Sequence, residues 1–126
     1  METAEVGTMT TQEIANRFNE LAKQGDWARI QEELFADDVE SLEPPHAKGL
    51  KSAKGRDALK QKAKEFESTV EEMHGGYSSE PLVAGNHFAV AMGMDATMKG
   101  MGRVKMDELA VYEVKDGKIV KEQFFF

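Results

Sequence analysis

From Thr10 onward the apolar residues fall first into helical spacings and then into alternating ones. Thr10 and Glu13 have the spacing of a capping box, and Ile14, Phe18 and Leu21 follow on one helical face. Gly25 is placed to stop this helix and Asp26 to cap a second, whose stripe is Trp27, Ile30 and Leu34. Val39 to Leu42 reads as a short strand that ends at Glu43-Pro44-Pro45-His46, because proline cannot continue a ladder. Leu59, Ala63, Phe66, Val70 and Met73 keep helical spacing, which predicts one long amphipathic helix from Asp57 to about Met73.

The rest of the chain reads as strands. Tyr77 to Ala84 is the first, with Pro81 marking an edge or a bulge, and Gly85-Asn86 turns the chain into His87 to Met98. There Phe88, Val90, Met92, Met94 and Met98 share one face, and Ala89, Ala91, Gly93, Asp95 and Thr97 share the other. Gly100-Met101-Gly102 leads into Arg103 to Val114, and Lys115-Asp116-Gly117 joins that run to the last one.

Two registers are open for this final hairpin. Asp116-Gly117 forms a two-residue turn, or Lys115-Asp116-Gly117 forms a three-residue loop with a bulge. In the longer loop Tyr112, Ala110, Glu108 and Met106 sit opposite Val120, Glu122, Phe124 and Phe126, gathering two carboxylates and a phenol on one face. In the shorter turn Glu108 and Glu122 lie on opposite faces and that cluster dissolves, since a one-residue slip reverses every side chain.

Three helices, a short strand and a four-strand meander give an α+β layer architecture. A long antiparallel sheet curling around helices leaves a cavity at its open end. The length of 126 residues fits one domain, spanning 10–126 after a loose N-terminus at 1–9. The formal charge of −7 argues against nucleic acid as a partner. No run is apolar enough for a membrane span, and METAEVGTM lacks the pattern of a signal peptide. With no cysteine there is no disulfide or thiolate site, and the default location is cytoplasmic.

Candidate chemistry is acidic. Glu43, Glu108 and Glu122 either converge on one cavity, with Tyr112 beside them and Phe18, Met92, Met94, Phe124 and Phe126 as apolar wall, or one or two of them pair with Lys105, Lys121 or Arg103 or reach solvent. A carboxyl in such surroundings has its pKa raised, as proton transfer near neutral pH requires. His74, at the predicted helix end, either enters the pocket or caps the helix, while His46 reads as a loop residue and His87 as a strand start. No histidine pair has a metal-ligand spacing, and no nucleotide or nucleophile motif is present, so no metal and no cofactor are expected. Lys48, Lys51, Lys54 and Arg56 read as a solvated basic face.

The order of elements, with Gly25-Asp26-Trp27, Leu34-Phe35-Ala36-Asp37-Asp38-Val39, Gly55-Arg56-Asp57-Ala58-Leu59 and Asp116-Gly117-Lys118-Ile119-Val120, resembles the nuclear transport factor two-like superfamily. Ketosteroid isomerases and SnoaL-like polyketide cyclases share this cystatin-like cone fold. The resemblance covers about residues 10 to 126 and implies N-terminal helices packed into a curved, mostly antiparallel sheet around a hydrophobic pocket. It favours the three-residue hairpin register. It places Glu43 where the isomerases have their general-base aspartate and Phe18 where they have the oxyanion-hole tyrosine. Their oxyanion-hole aspartate falls near Ala110, two residues from Glu108. The cyclases use an acidic acid/base residue deep in the cavity, a role open to Glu108 or Glu122. The implied function is binding of an apolar small-molecule ligand, with isomerase or cyclase chemistry on a carbonyl compound. The alternative is a non-catalytic ligand-binding or dimeric interaction module. Leu109, Val111, Ile119 and Phe125, read as the face away from the cavity, predict a homodimer formed through the outer sheet face.

Overall fold

A computed structural model describes residues 8–47 and 51–126. Three helices, α1 (Thr11–Lys23), α2 (Trp27–Leu34) and α3 (Arg56–Ser68), pack on one curved mixed sheet. Its strands are β1 (Phe35–Leu42), β2 (Ala53–Lys54), β3 (Val70–Ser78), β4 (Leu82–Ala84), β5 (His87–Met98), β6 (Gly102–Lys115) and β7 (Lys118–Phe125). The order across the sheet is β2-β1-β7-β6-β5-β3, with β4 also on β5. Only β1 and β7 run parallel among these pairs. The α+β expectation therefore holds. The loose end expected at 1–9 lies mostly outside the described residues, as does Lys48.

The helix starts form as the sequence predicts. The Thr10 N–H donates to Glu13 Oε1 at 2.8 Å, and the Glu13 N–H donates back to Thr10 Oγ1 at 3.1 Å. Asp26 caps α2 through the Arg29 N–H at 3.2 Å. Ile14, Phe18, Leu21, Ile30 and Leu34 then meet Phe88, Val90, Ala110, Tyr112 and Ile119 of the sheet in one core. Phe18 sits at its centre, with ring centroids 4.8 Å from Tyr112 and 5.5 Å from Phe88.

Four expectations are corrected. The third helix stops at Ser68 instead of running to Met73. Val70 and Met73 keep a helical interval by coincidence: both are strand residues, paired with Met98 and Ala96 of β5. The run from Tyr77 to Ala84 is two strands, broken at Ser79–Pro81, where the Ser79 hydroxyl accepts from the Ala91 N–H at 2.9 Å. The strand begun at Val39 starts four residues earlier, because Phe35 already pairs with Ile119 of β7.

The fourth correction concerns the last hairpin. Lys115 pairs with Lys118 around a two-residue turn, with φ of 51° at Asp116 and 77° at Gly117. These positive values are what a turn matched to strand twist requires, and Asp-Gly supplies them at low cost. Val114 pairs with Ile119 but Glu113 pairs with Lys121, so Val120 is an extra residue in a bulge. Beyond it Tyr112 lies opposite Glu122, and Ala110 opposite Phe124. The carboxylates thus share a face although the turn is the short one. The bulge also turns Ile119 inward, where it is fully buried, so it does not belong to the outer apolar face.

Candidate functional site

The cavity between the helices and the concave sheet face has a volume of about 240 Å³. Each element contributes by its own periodicity. Strand alternation brings Ser41 and Glu43 from the end of β1, Glu122 and Phe124 from β7, and Met106, Glu108 and Tyr112 from β6 to the lining. Leu59, Lys62, Ala63 and Phe66 line it from α3 at intervals of three and four, a single helical stripe. Phe18, Trp27 and Met92 complete much of the apolar wall.

All four proposed acid/base residues, Glu43, Glu108, Glu122 and Tyr112, lie on this lining, with Phe18, Met92 and Phe124. Three other candidates stand elsewhere. Met94 borders a neighbouring cavity. His74 is neither a helix cap nor a pocket residue: it lies on β3, with Nε2 2.7 Å from Thr97 Oγ1. Phe126 lies beyond the end of β7, half-exposed, with the His46 ring edge-on at 5.4 Å.

Two polar residues of the lining, Lys62 and Ser41, escaped the sequence reading. Lys62 Nζ donates to Glu43 Oε2 at 2.6 Å and to Ser41 Oγ at 3.2 Å, and stands 5.8 Å from the Phe124 ring centroid. Both partners are largely out of water, with side chains 21% and 6% exposed for Lys62 and Glu43. The signal was available: Lys62 interrupts the apolar stripe of α3. Ser41, fully buried, lies opposite Glu122 in the parallel β1–β7 pairing and follows the Val39-x-Ser41-x-Glu43 alternation.

The electrostatics divide the carboxyl groups. Burial pushes Glu122 up from 4.5 to about 8; Lys62 opposes this, and the charges of Glu43 and Glu108 add to it. Glu108 is less enclosed. Burial and the Glu43 charge raise it to about 6, against a lowering pull from Lys62. Burial, then the Glu122 and Glu108 charges, hold the Tyr112 phenol well above its ordinary value. Near neutral pH the chamber accordingly contains a neutral carboxyl at Glu122, a mostly ionised one at Glu108 and a neutral phenol. A neutral carboxyl donates a hydrogen bond and an ionised one accepts a proton, so both halves of an acid/base step are present. Among the described residues no group of three histidine, aspartate or glutamate side chains is arranged to hold a metal ion.

Solved structures share this fold. A protein of Mesorhizobium loti, provisionally named a SnoaL-like polyketide cyclase, is 42% identical over 94% of this chain and 100% of its own, with a TM-score of 0.87. A nuclear transport factor two-like protein of Burkholderia thailandensis shares the fold at 16% identity and a TM-score of 0.79, over 94% of this chain and 91% of its own. TerC, solved after co-crystallisation with polyporic acid, does so at 18% identity and a TM-score of 0.70, over 90% and 91%. A comparison with curated proteins gave no match. The SnoaL-like domain model matches residues 9–126, almost all of what the cone and its chamber are built from, and the chain belongs to that family within the nuclear transport factor two-like superfamily.

Proposed function

We propose that this chain binds an apolar carbonyl compound and moves a proton on it without a cofactor, as an isomerase or cyclase does. The observation that carries the reading is the lining of one apolar chamber by Glu43, Glu108, Glu122 and Tyr112. Carboxyl groups in apolar surroundings are costly unless neutralised or paired, so their gathering calls for a functional reason. The relative from Mesorhizobium loti, named for polyketide cyclase chemistry, supports the same class.

In the step we assign, the Glu108 carboxylate takes a proton from the carbon beside the carbonyl. The electron pair moves onto the carbonyl oxygen, where the neutral Glu122 carboxyl donates a hydrogen bond. After the Glu108 carboxyl has traded its proton with solvent, delivery of a solvent proton to the same carbon gives exchange, and delivery to another carbon gives isomerisation. The resemblance implies Glu43 as the base. Its Oε2 is already engaged by Lys62 at 2.6 Å, so Glu108, near 6, suits proton acceptance at neutral pH better. A homodimer through the outer sheet face accompanies this reading, with Leu109, Val111 and Phe125 as its apolar contacts.

The test is deuterium uptake from solvent into small cyclic ketones, followed by NMR. Glu108→Gln lowers the rate by about 10²–10⁴-fold. Glu122→Leu lowers it by about 10²–10³-fold. Loss on Glu43→Gln with Glu108→Gln unaffected would return the base to Glu43. No exchange by the wild type leaves a ligand-binding protein with the same pocket.

A further inference from the structure

Beside the aromatic chamber lies a second cavity of about 740 Å³. The two share Trp27, Phe66, Met92, Met106 and Glu108 in their linings, which makes them neighbouring compartments of one cone. Their walls differ in chemistry. The inner chamber alone contains Glu43, Lys62, Tyr112 and Glu122. The outer one adds Met73 and Met94 to the shared methionines, so four methionine side chains border it. Flexible thioether side chains fit irregular apolar shapes and suit a ligand with rotatable bonds.

Size separates them further. Cavities that hold a drug-sized ligand measure roughly 300–1,000 Å³. The inner 240 Å³ falls below that range, and the outer 740 Å³ lies within it. A compound small enough for the inner chamber alone would leave Met73, which borders only the outer one and is 56% exposed, in water.

We propose that the ligand is bipartite, with a compact carbonyl head in the aromatic chamber and a flexible apolar tail along the methionine wall of the outer one. This rests on the proton-transfer reading for its head group only. Glu108 borders both compartments while Glu122 borders the inner one alone. With the carbonyl oxygen directed inward at Glu122, the carbon that Glu108 meets is the one that carries the tail. Its C–H bond breaks, the proton bonds to the Glu108 oxygen, and the electron pair passes to the carbonyl oxygen. Return of a solvent deuteron completes the exchange.

The probes are methyl ketones from butanone to dodecanone. Binding is read from the emission of Trp27, the single tryptophan of the chain, and from calorimetry. Affinity rises about fourfold for each methylene that enters the outer cavity, until the cavity is filled. Met73→Gln and Met94→Gln keep the side-chain length but add a polar amide, and each lowers that gain. Met73 is exposed enough for its variant to fold normally. Affinity that does not change with chain length, or a gain that both variants leave intact, overturns the proposal. Deuterium appears at the internal methylene beside the carbonyl; enrichment at the methyl group alone overturns the orientation. Rising affinity without any exchange removes the catalytic reading and supports the bipartite ligand. Exchange with flat affinity does the reverse.

Discussion

Tyr112 and Glu122 face each other across the last hairpin, a phenol and a carboxyl paired on the buried side of the sheet. Among the described residues neither forms an ion pair of the kind that joins Lys62 to Glu43. Their neutrality near pH 7 follows from that surrounding, and it links the site to the stability of the fold.

Stability should therefore depend on pH through Glu122. Its folded value of about 8 lies above the unfolded value of about 4.5. Between them the native state keeps a proton that the unfolded chain has lost. The native state is thus favoured most below about 4.5, and this advantage is lost as pH rises through about 8. The slope approaches about 1.4 kcal/mol per pH unit inside the window. Glu122→Gln should flatten it, because an amide stays neutral at every pH. Denaturant melts at several pH values measure both slopes, and equal slopes would contradict the assignment.

The Lys62–Glu43 pair should be sensitive to the loss of one member. Lys62→Met leaves a carboxylate unpaired in a site where its side chain is 6% exposed. Breaking such a pair typically costs about 3–5 kcal/mol. Adding Glu43→Gln to the same chain should recover part of the loss. A single variant within about 1 kcal/mol of wild type in denaturant melts would mean that water already reaches the pair.

Two phenylalanines should respond differently to truncation. Phe18 is 1% exposed and packs on Trp27, Phe88 and Tyr112, so Phe18→Ala should cost about 3–5 kcal/mol. Phe124 is only partly buried and borders the cavity, where part of its surface already lacks protein contacts. Phe124→Ala should cost clearly less, about 1–3 kcal/mol, and weaken ligand binding. Equal losses in parallel melts would place Phe124 in the core proper.

The outer face gives a further prediction. Leu109 and Phe125 are cross-strand neighbours on it, 43% and 48% exposed. Nearby, the Tyr77 Oη donates to Asp107 Oδ1 at 2.6 Å across Gly93, where a Cβ would lie 2.2 Å from the Tyr77 ring. This exposed apolar surface suits a second copy of the chain. Light scattering should give a dimer for the wild type and a monomer for Leu109→Glu. A monomeric wild type at micromolar concentration would contradict it.

What the sequence made legible follows physical locality. Caps, helical stripes and the alternation of β5 are set by residues within a turn or two of each other, and they were read correctly. The end of α3 was not, because Val70 and Met73 satisfy helical spacing while their strand partners lie more than twenty residues away. The shared face of Glu108 and Glu122 was anticipated through the wrong turn. A two-residue turn with a bulge at Val120 restores the parity that a longer loop would also give, and nothing local in Lys118-Ile119-Val120-Lys121 announces the bulge. Lys62 was passed over because a lysine between Leu59 and Phe66 reads as solvated until a carboxylate on another strand is placed opposite.

Glu108 and Glu122 are two carboxyl groups of one chamber that should titrate apart. Carbon-13 NMR of labelled glutamate side chains reads this without any substrate. Glu108→Gln and Glu122→Gln assign the two signals. The expected result is one carboxyl titrating near 6 and another near 8, with Glu108 the lower. If both titrate in the ordinary glutamate range near about 4.3, the chamber holds two solvated carboxylates and no acid/base pair.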